Sequence, residues 1–195
     1  MKIQSAIFEV SSPTLDLCPR LALPEFAFIG RSNVGKSSLI NMLTEKASLA
    51  KVSDLPGKTR LMNFFTINRN WRLVDLPGYG YAHVAQTERA DFNEAVADYL
   101  RGRENLVGVF VLIDSRHEPQ AIDIDFIEWL VDNEIPFALV FTKIDKQSAS
   151  QTQFSITRFK QTVLADLDPI PTIFASSART KTGRNDILRY VAERL

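Results

Sequence analysis

The run Gly30-Arg31-Ser32-Asn33-Val34-Gly35-Lys36-Ser37 lies between the apolar tetrapeptide Phe26-Ala27-Phe28-Ile29 and a segment with Leu39, Ile40 and Leu43 at helical spacing. Strand, glycine-bearing turn and helix in that order complete the pattern G-x-x-x-x-G-K-S. The pattern constrains the fold, because the N–H groups of residues 32–37 wrap a β-phosphate only if a helix starts directly beyond a buried strand. Gly30 and Gly35 permit turns that a side chain would obstruct. In this reading Lys36 bridges the β- and γ-phosphates and the Ser37 hydroxyl ligates Mg²⁺. Gly30, Arg31, Ser32, Asn33, Val34, Gly35, Lys36, Ser37 and Ser38 form the phosphate site, with the Arg31 side chain expected to face outward, uninvolved. The loop implies a nucleoside triphosphate without specifying the base.

The rest of the chain repeats the alternation. Apolar strands are predicted at 25–30, 106–113, 136–142 and 171–175. Helices are predicted at 36–44, 87–100, 119–131 and 185–195, and residues 154–164 are expected to lie in a helix. In the helix over 119–131, Ile122, Phe126, Ile127 and Leu130 are expected on the buried side, with the acids opposite. Residues 62–68 and 71–76 read as a hairpin turning at Asn68-Arg69-Asn70, the one antiparallel pair. Buried strands separated by helices of this length predict an α/β fold of three layers, a mostly parallel sheet covered on both faces, with one antiparallel edge strand. Residues 1–22 are expected to pack as an extension on a single domain over 23–195. Residues 3–10 form either an edge strand or a packed arm.

With 195 residues, 45% of them hydrophobic, the chain is long enough for a real core, which excludes dominant disorder. No apolar stretch is long enough to span a bilayer, and no secretory signal is expected. Cys18 is the single cysteine, which excludes an intrachain disulfide framework and a Cys-rich zinc site and suits a reducing compartment. Net charge is zero but unevenly spread: residues 73–134 carry 4 basic and 13 acidic side chains, whereas both flanking segments have a basic excess.

Asp75 ends a buried strand and is expected to hold a metal-bound water beside the phosphate loop. Gly78, three residues on, offers an N–H that senses the γ-phosphate. In the loop Pro56-Gly57-Lys58-Thr59-Arg60, Gly57 and Thr59 are assigned to the nucleotide, Thr59 as a direct Mg²⁺ ligand. Thr142-Lys143-Ile144-Asp145 follows another strand. Its aspartate can accept from guanine N1–H and the 2-amino group, which adenine lacks. Lys143 can lay its stem along the base, and Ser176-Ser177-Ala178 can present the Ala178 N–H to guanine O6.

With these motifs the chain resembles the bacterial ribosome-biogenesis GTP-binding proteins called EngB, YihA or YsxC, among the TrmE-Era-EngA-YihA-Septin-like GTPases. The family's G-R-S-N-V-G-K-S-S-L-I-N falls on residues 30–41 without a mismatch, P-G-K-T on 56–59, D-L-P-G-Y-G-Y-A on 75–82 and T-K-x-D on 142–145. Ala178 stands where the family often has leucine, at a position that works through its backbone. The resemblance implies the P-loop GTPase fold, GTP or GDP with Mg²⁺, and assembly of the large ribosomal subunit in the cytoplasm, tied to normal division. It also implies binding to large-subunit particles, their rRNA and proteins. No membrane insertion is expected, and a monomer is.

Many GTPases place a catalytic glutamine where this chain has Tyr79, so slow intrinsic turnover is expected. Lys36, Asn33, Thr59 and Gly78 are the candidate catalytic residues, and His83 is a weaker one for orienting water. Asn33 resembles the phosphate-loop asparagine that coordinates K⁺ in related GTPases. A P-loop ATPase or kinase, and a nucleotide-controlled binding module with negligible turnover, are the alternatives.

Overall fold

The computed structural model describes residues 1–51, 61–79 and 86–195. Seven strands form one sheet: β1 (Ala6–Ser12), β2 (Glu25–Gly30), β3 (Met62–Ile67), β4 (Trp71–Asp75), β5 (Leu106–Asp114), β6 (Phe137–Thr142) and β7 (Ile173–Ala175). Their order is β1-β3-β4-β2-β5-β6-β7. β3 runs against both neighbours, β1 and β4, while β4, β2, β5, β6 and β7 are parallel. The expected mostly parallel sheet with one reversed strand is therefore observed. The reversed strand lies one place in from the edge, because β1 pairs along its outer side. Of the two readings for residues 3–10, the edge strand is the one formed.

Among the described residues four α-helices connect strands, α1 (Lys36–Thr44), α2 (Gln86–Gly102), α3 (Ala121–Asp132) and α4 (Ala149–Val163), and α5 (Arg184–Ala192) follows the last strand. The period-2 side-chain alternation of β2 divides the core. Phe26 and Phe28 face one layer with Leu39, Ile40 and Leu43 of α1 and Ile187, Leu188 and Val191 of α5. Ala27 and Ile29 face the other, with Tyr99 and Leu100 of α2, Ile127 and Leu130 of α3, and Ile156 and Phe159 of α4. A strand buried on both faces needs an unbroken apolar run, as Phe26 to Ile29 provides.

Residues 154–163 lie in a helix as expected, and one other expectation shifts. Helix α4 starts at Ala149, where the Ser148 side chain accepts from the Gln151 N–H at 3.2 Å and caps the first turn. In α3 the buried residues are Asp123, Ile127 and Leu130, while Ile122 is 36% exposed. The buried stripe is rotated because Asp123, read as a solvent-facing acid, has partners beneath the helix.

Among the described residues, no helix is long and apolar enough to cross a membrane.

Candidate nucleotide-binding site

The phosphate loop leaves the carboxyl end of β2, the middle strand, between β4 and β5. Asp75, Asp114 and Thr142 end their parallel strands at the same edge, the usual place for a ligand in such a sheet. Asn33 and Gly35 have left-handed backbone, φ 61° and 103°. Gly35 caps α1 in that conformation, which a side chain would strain. Its N–H-rich first turn then opens toward the loop.

Lys36 and Asp75 are joined by a direct ion pair. Both side chains are buried, so the predicted phosphate ligand and the predicted metal-water ligand touch each other. Gly78 packs on the phosphate loop: a Cβ there would lie 2.6 Å from the Gly30 carbonyl oxygen. Only a glycine allows that backbone approach without displacement.

The T-K-x-D segment docks onto the same loop. The Thr142 hydroxyl donates to the Val34 carbonyl at 2.6 Å, and the Lys143 ammonium to the Asn33 carbonyl at 2.5 Å. The lysine stem crosses over Gly35, with Cε 3.6 Å from where a Cβ would stand. The Lys143 ammonium also pairs with Asp114 at 3.0 Å. Asp114 in turn holds the Arg116 guanidinium through two hydrogen bonds, of 2.9 and 2.7 Å. Burial pushes the Asp114 carboxyl up, but the Arg116 and Lys143 donors outweigh it and hold the group below the usual carboxylate range.

Asp145 lies in a short 3₁₀ turn beyond β6. One oxygen accepts from the Ser177 hydroxyl at 2.6 Å, which lowers the carboxyl's pKa. The Ser177 oxygen accepts the Thr180 N–H at 3.2 Å, so its own proton is directed at Asp145. The second oxygen, Oδ2, is buried without a hydrogen-bond partner. An enclosed acceptor with unfilled capacity fits a guanine edge that brings two donors. Ser176 is buried and its hydroxyl donates to the Thr182 carbonyl at 3.1 Å, which ties the segment carrying Ser177 and Ala178 to the turn before α5.

The side chains here that could hold a Mg²⁺ are the Ser37 hydroxyl at the start of α1 and, through a water, the Asp75 carboxylate, both hard oxygen donors. No group of three or more His, Cys, Asp or Glu side chains that could hold a metal occurs among the described residues.

Three site features were not read from sequence. Asp114 carries the signal that singled out Asp75, an acid closing a buried strand. Asp123 was concealed by an acid-rich helix face. Arg31, expected to face outward, turns under α3, and its Nε donates to Asp123 at 3.1 Å. Gly57, Thr59 and His83 lie outside the described residues.

The mostly parallel seven-stranded sheet, with this loop after its middle strand, is the P-loop GTPase fold. The family described as 50S ribosome-binding GTPase matches residues 25–143. A "Probable GTP-binding protein EngB" of Christiangramia forsetii is 51% identical over 191 residues, 98% of this chain and 96% of the relative. Another of that name, from Porphyromonas gingivalis, is 49% identical over 98% of this chain and 95% of its own length. Among solved structures, a probable GTP-binding protein engB superposes with a TM-score of 0.69 at 22% identity, over 87% of this chain and 97% of that one. Era in complex with MgGDPNP and nucleotides 1506–1542 of 16S ribosomal RNA gives 0.71 at 19% identity, over 90% of this chain and 58% of that one. The chain belongs to the EngB family of GTP-binding proteins, within the ribosome-binding GTPases.

Proposed function

We propose that this protein binds GTP and GDP with Mg²⁺ and slowly hydrolyses GTP to GDP and phosphate, and that the nucleotide state governs its action on the large ribosomal subunit during assembly. The observation that carries the guanine reading is Asp145, held by Ser177 on one oxygen and enclosed without a partner on the other. Lys143 lies beside it as a flat aliphatic edge for the base. Gly30 to Ser38 surround the phosphates, and Ala178 presents its N–H to guanine O6.

In hydrolysis, Lys36 offsets charge developing on the transferred group, and the Gly78 N–H holds a γ-phosphate oxygen. Gly57 and Thr59 are assigned to the triphosphate, Ser37 and Thr59 would hold the metal, and Asp75 would hold a water on it. Bound Mg²⁺ supplies charge neutralisation across the β- and γ-phosphates. Asn33 is proposed as a K⁺ ligand that adds to it. Turnover without a partner is slow, because Tyr79 replaces the water-orienting glutamine and its hydroxyl is already donated to Asp123 at 2.9 Å. That bond also favours a second reading, a nucleotide-controlled binding module with negligible turnover.

The partner reading rests on the family's description as ribosome-binding and on the basic residues Arg179, Lys181, Arg184, Arg189 and Arg194 in the last part of the chain. A cytoplasmic monomer, with 23–195 as its nucleotide-binding unit and a role in cell division, completes the proposal.

The test is affinity for GTP, ATP and XTP in wild type and Asp145→Asn. The variant should lose GTP and gain XTP, since its amide presents a donor where guanine also presents one. Unchanged GTP binding sinks the assignment. Single-turnover hydrolysis with and without large-subunit precursor separates a partner-activated enzyme from a binding module.

A further inference from the structure

Two glycine-led pairs meet in this site: Gly30-Arg31 in the phosphate loop and Gly78-Tyr79 beyond β4. Their backbones touch, since a Cβ on Gly78 would lie 2.6 Å from the Gly30 carbonyl oxygen. Their side chains converge on one carboxylate. The Arg31 Nε reaches both Asp123 oxygens, at 3.2 and 3.1 Å, and the Tyr79 hydroxyl donates to Asp123 Oδ1 at 2.9 Å. Asp123 is 1% exposed and is carried by α3.

A buried carboxylate needs such partners, because an uncompensated charge there is strongly destabilising. The Tyr79 ring is fixed a second time, stacked on Phe126 of α3 with centroids 4.6 Å apart. Ile127 and Leu130 seat α3 in the core. The side chain following Gly78 is thus fastened to a rigid helix, and the same carboxylate fastens the residue following Gly30.

We infer that Asp123 is a positioning residue that, through Tyr79 and Arg31, sets the Gly78 N–H against the phosphate loop and so favours nucleotides that carry a γ-phosphate. This rests on the proposed guanine-nucleotide function of the same site. Asp123 touches no reacting atom in this scheme. It acts by holding Gly78 where the third phosphate ends, so its contribution enters the triphosphate complex and not the diphosphate complex. A purely architectural ion pair would affect both complexes alike.

The experiment measures affinity for GDP and for a non-hydrolysable GTP analogue in wild type, Tyr79→Phe, Asp123→Asn and the double variant, together with thermal unfolding. Tyr79→Phe keeps the ring and its stacking and deletes one hydrogen bond, so it serves even where Asp123→Asn fails to fold. Each single change should cut analogue affinity about fivefold or more, at the lower end of coupling between sites. GDP affinity should stay within about twofold, and the double variant should be little worse than either single one, since both break one linkage. An analogue-to-GDP ratio unchanged in Tyr79→Phe, with guanine preference intact, overturns the positioning role alone. Wild-type protein that binds ATP as tightly as GTP overturns the functional reading beneath it.

Discussion

Lys36 and Asp75 form an ion pair in which the ammonium is only 10% exposed and the carboxylate 5%. Each group is the other's counter-charge within the protein, and each is also assigned to the triphosphate and its metal. Phosphate and Asp75 therefore compete for one ammonium. Replacing Asp75 by asparagine should leave Lys36 buried without its counter-charge and lower stability by about 3 kcal/mol, the usual cost of removing one partner of such a pair. A bound diphosphate would restore a negative partner. GDP without added metal should then raise the melting temperature of Asp75→Asn more than that of wild type. An equal rise in both would show that the ion pair does not oppose phosphate binding.

Asp114 governs the base site at one remove. It holds Lys143, whose ammonium also reaches the Asn33 carbonyl. Asp114→Asn should free the lysine and reduce affinity for GDP on the order of tenfold, in the range for a hydrogen bond to a charged group. Preference for GDP over XDP should persist, because Asp145 and Ser177 are untouched. Paired titrations of the two nucleotides read this directly. A changed preference would mean that Asp114 acts on Asp145 and not through Lys143.

Asn33 is exposed and its backbone is left-handed at φ 61°. Its main-chain carbonyl is committed to Lys143, and its side chain is assigned to K⁺. Charge offset by a cation matters most in the transition state, so K⁺ should raise turnover more than nucleotide affinity. Single-turnover hydrolysis in matched K⁺ and Na⁺ at constant ionic strength should show a K⁺ preference in wild type that Asn33→Ala reduces. Equal rates in both salts would remove the cation from the mechanism.

What was legible in the sequence is what acts locally. The unbroken run Phe26 to Ile29 forces a strand covered on both sides, and Gly35 followed by Lys36 forces a helix start. Asp145 is flagged by its place after a strand. Arg31 and Asp123 were not legible as a pair, because they are 92 positions apart and only the packing of α3 brings them together. The three acids Asp123, Asp125 and Glu128 look alike on a helix face. Knowing that the first is buried requires knowing that Tyr79 and Arg31 lie beneath it. The place of β1 was open for a related reason: it completes the sheet by pairing with β3, a contact across more than fifty residues that no local pattern specifies.

That edge pairing yields the last prediction. In β1 the register with β3 shifts between Phe8 and Val10, which makes Glu9 the extra residue of a bulge. Its carboxylate accepts from Arg72 at 2.8 and 3.0 Å and from the Thr66 hydroxyl at 2.6 Å. The Arg72 hydrogen bonds, aided by Thr66, outweigh burial and hold the Glu9 carboxyl below its ordinary value of 4.5. A carboxyl with a lowered folded-state pKa is protonated first in the unfolded chain. Its stabilisation is therefore complete above about pH 4.5 and fades as pH falls through the lower folded value. Arg72 is buried and retains Glu25 as a partner, so Glu9→Gln should fold. The variant should be less stable than wild type on the order of 1 kcal/mol near pH 7, as for a partly exposed ion pair. The difference should shrink as pH drops below 4.5, since wild type alone loses this contribution. Urea unfolding from pH 7 down to pH 3 measures it. Two stability curves that stay parallel across that range would show that the Glu9 charge does not anchor the edge strand.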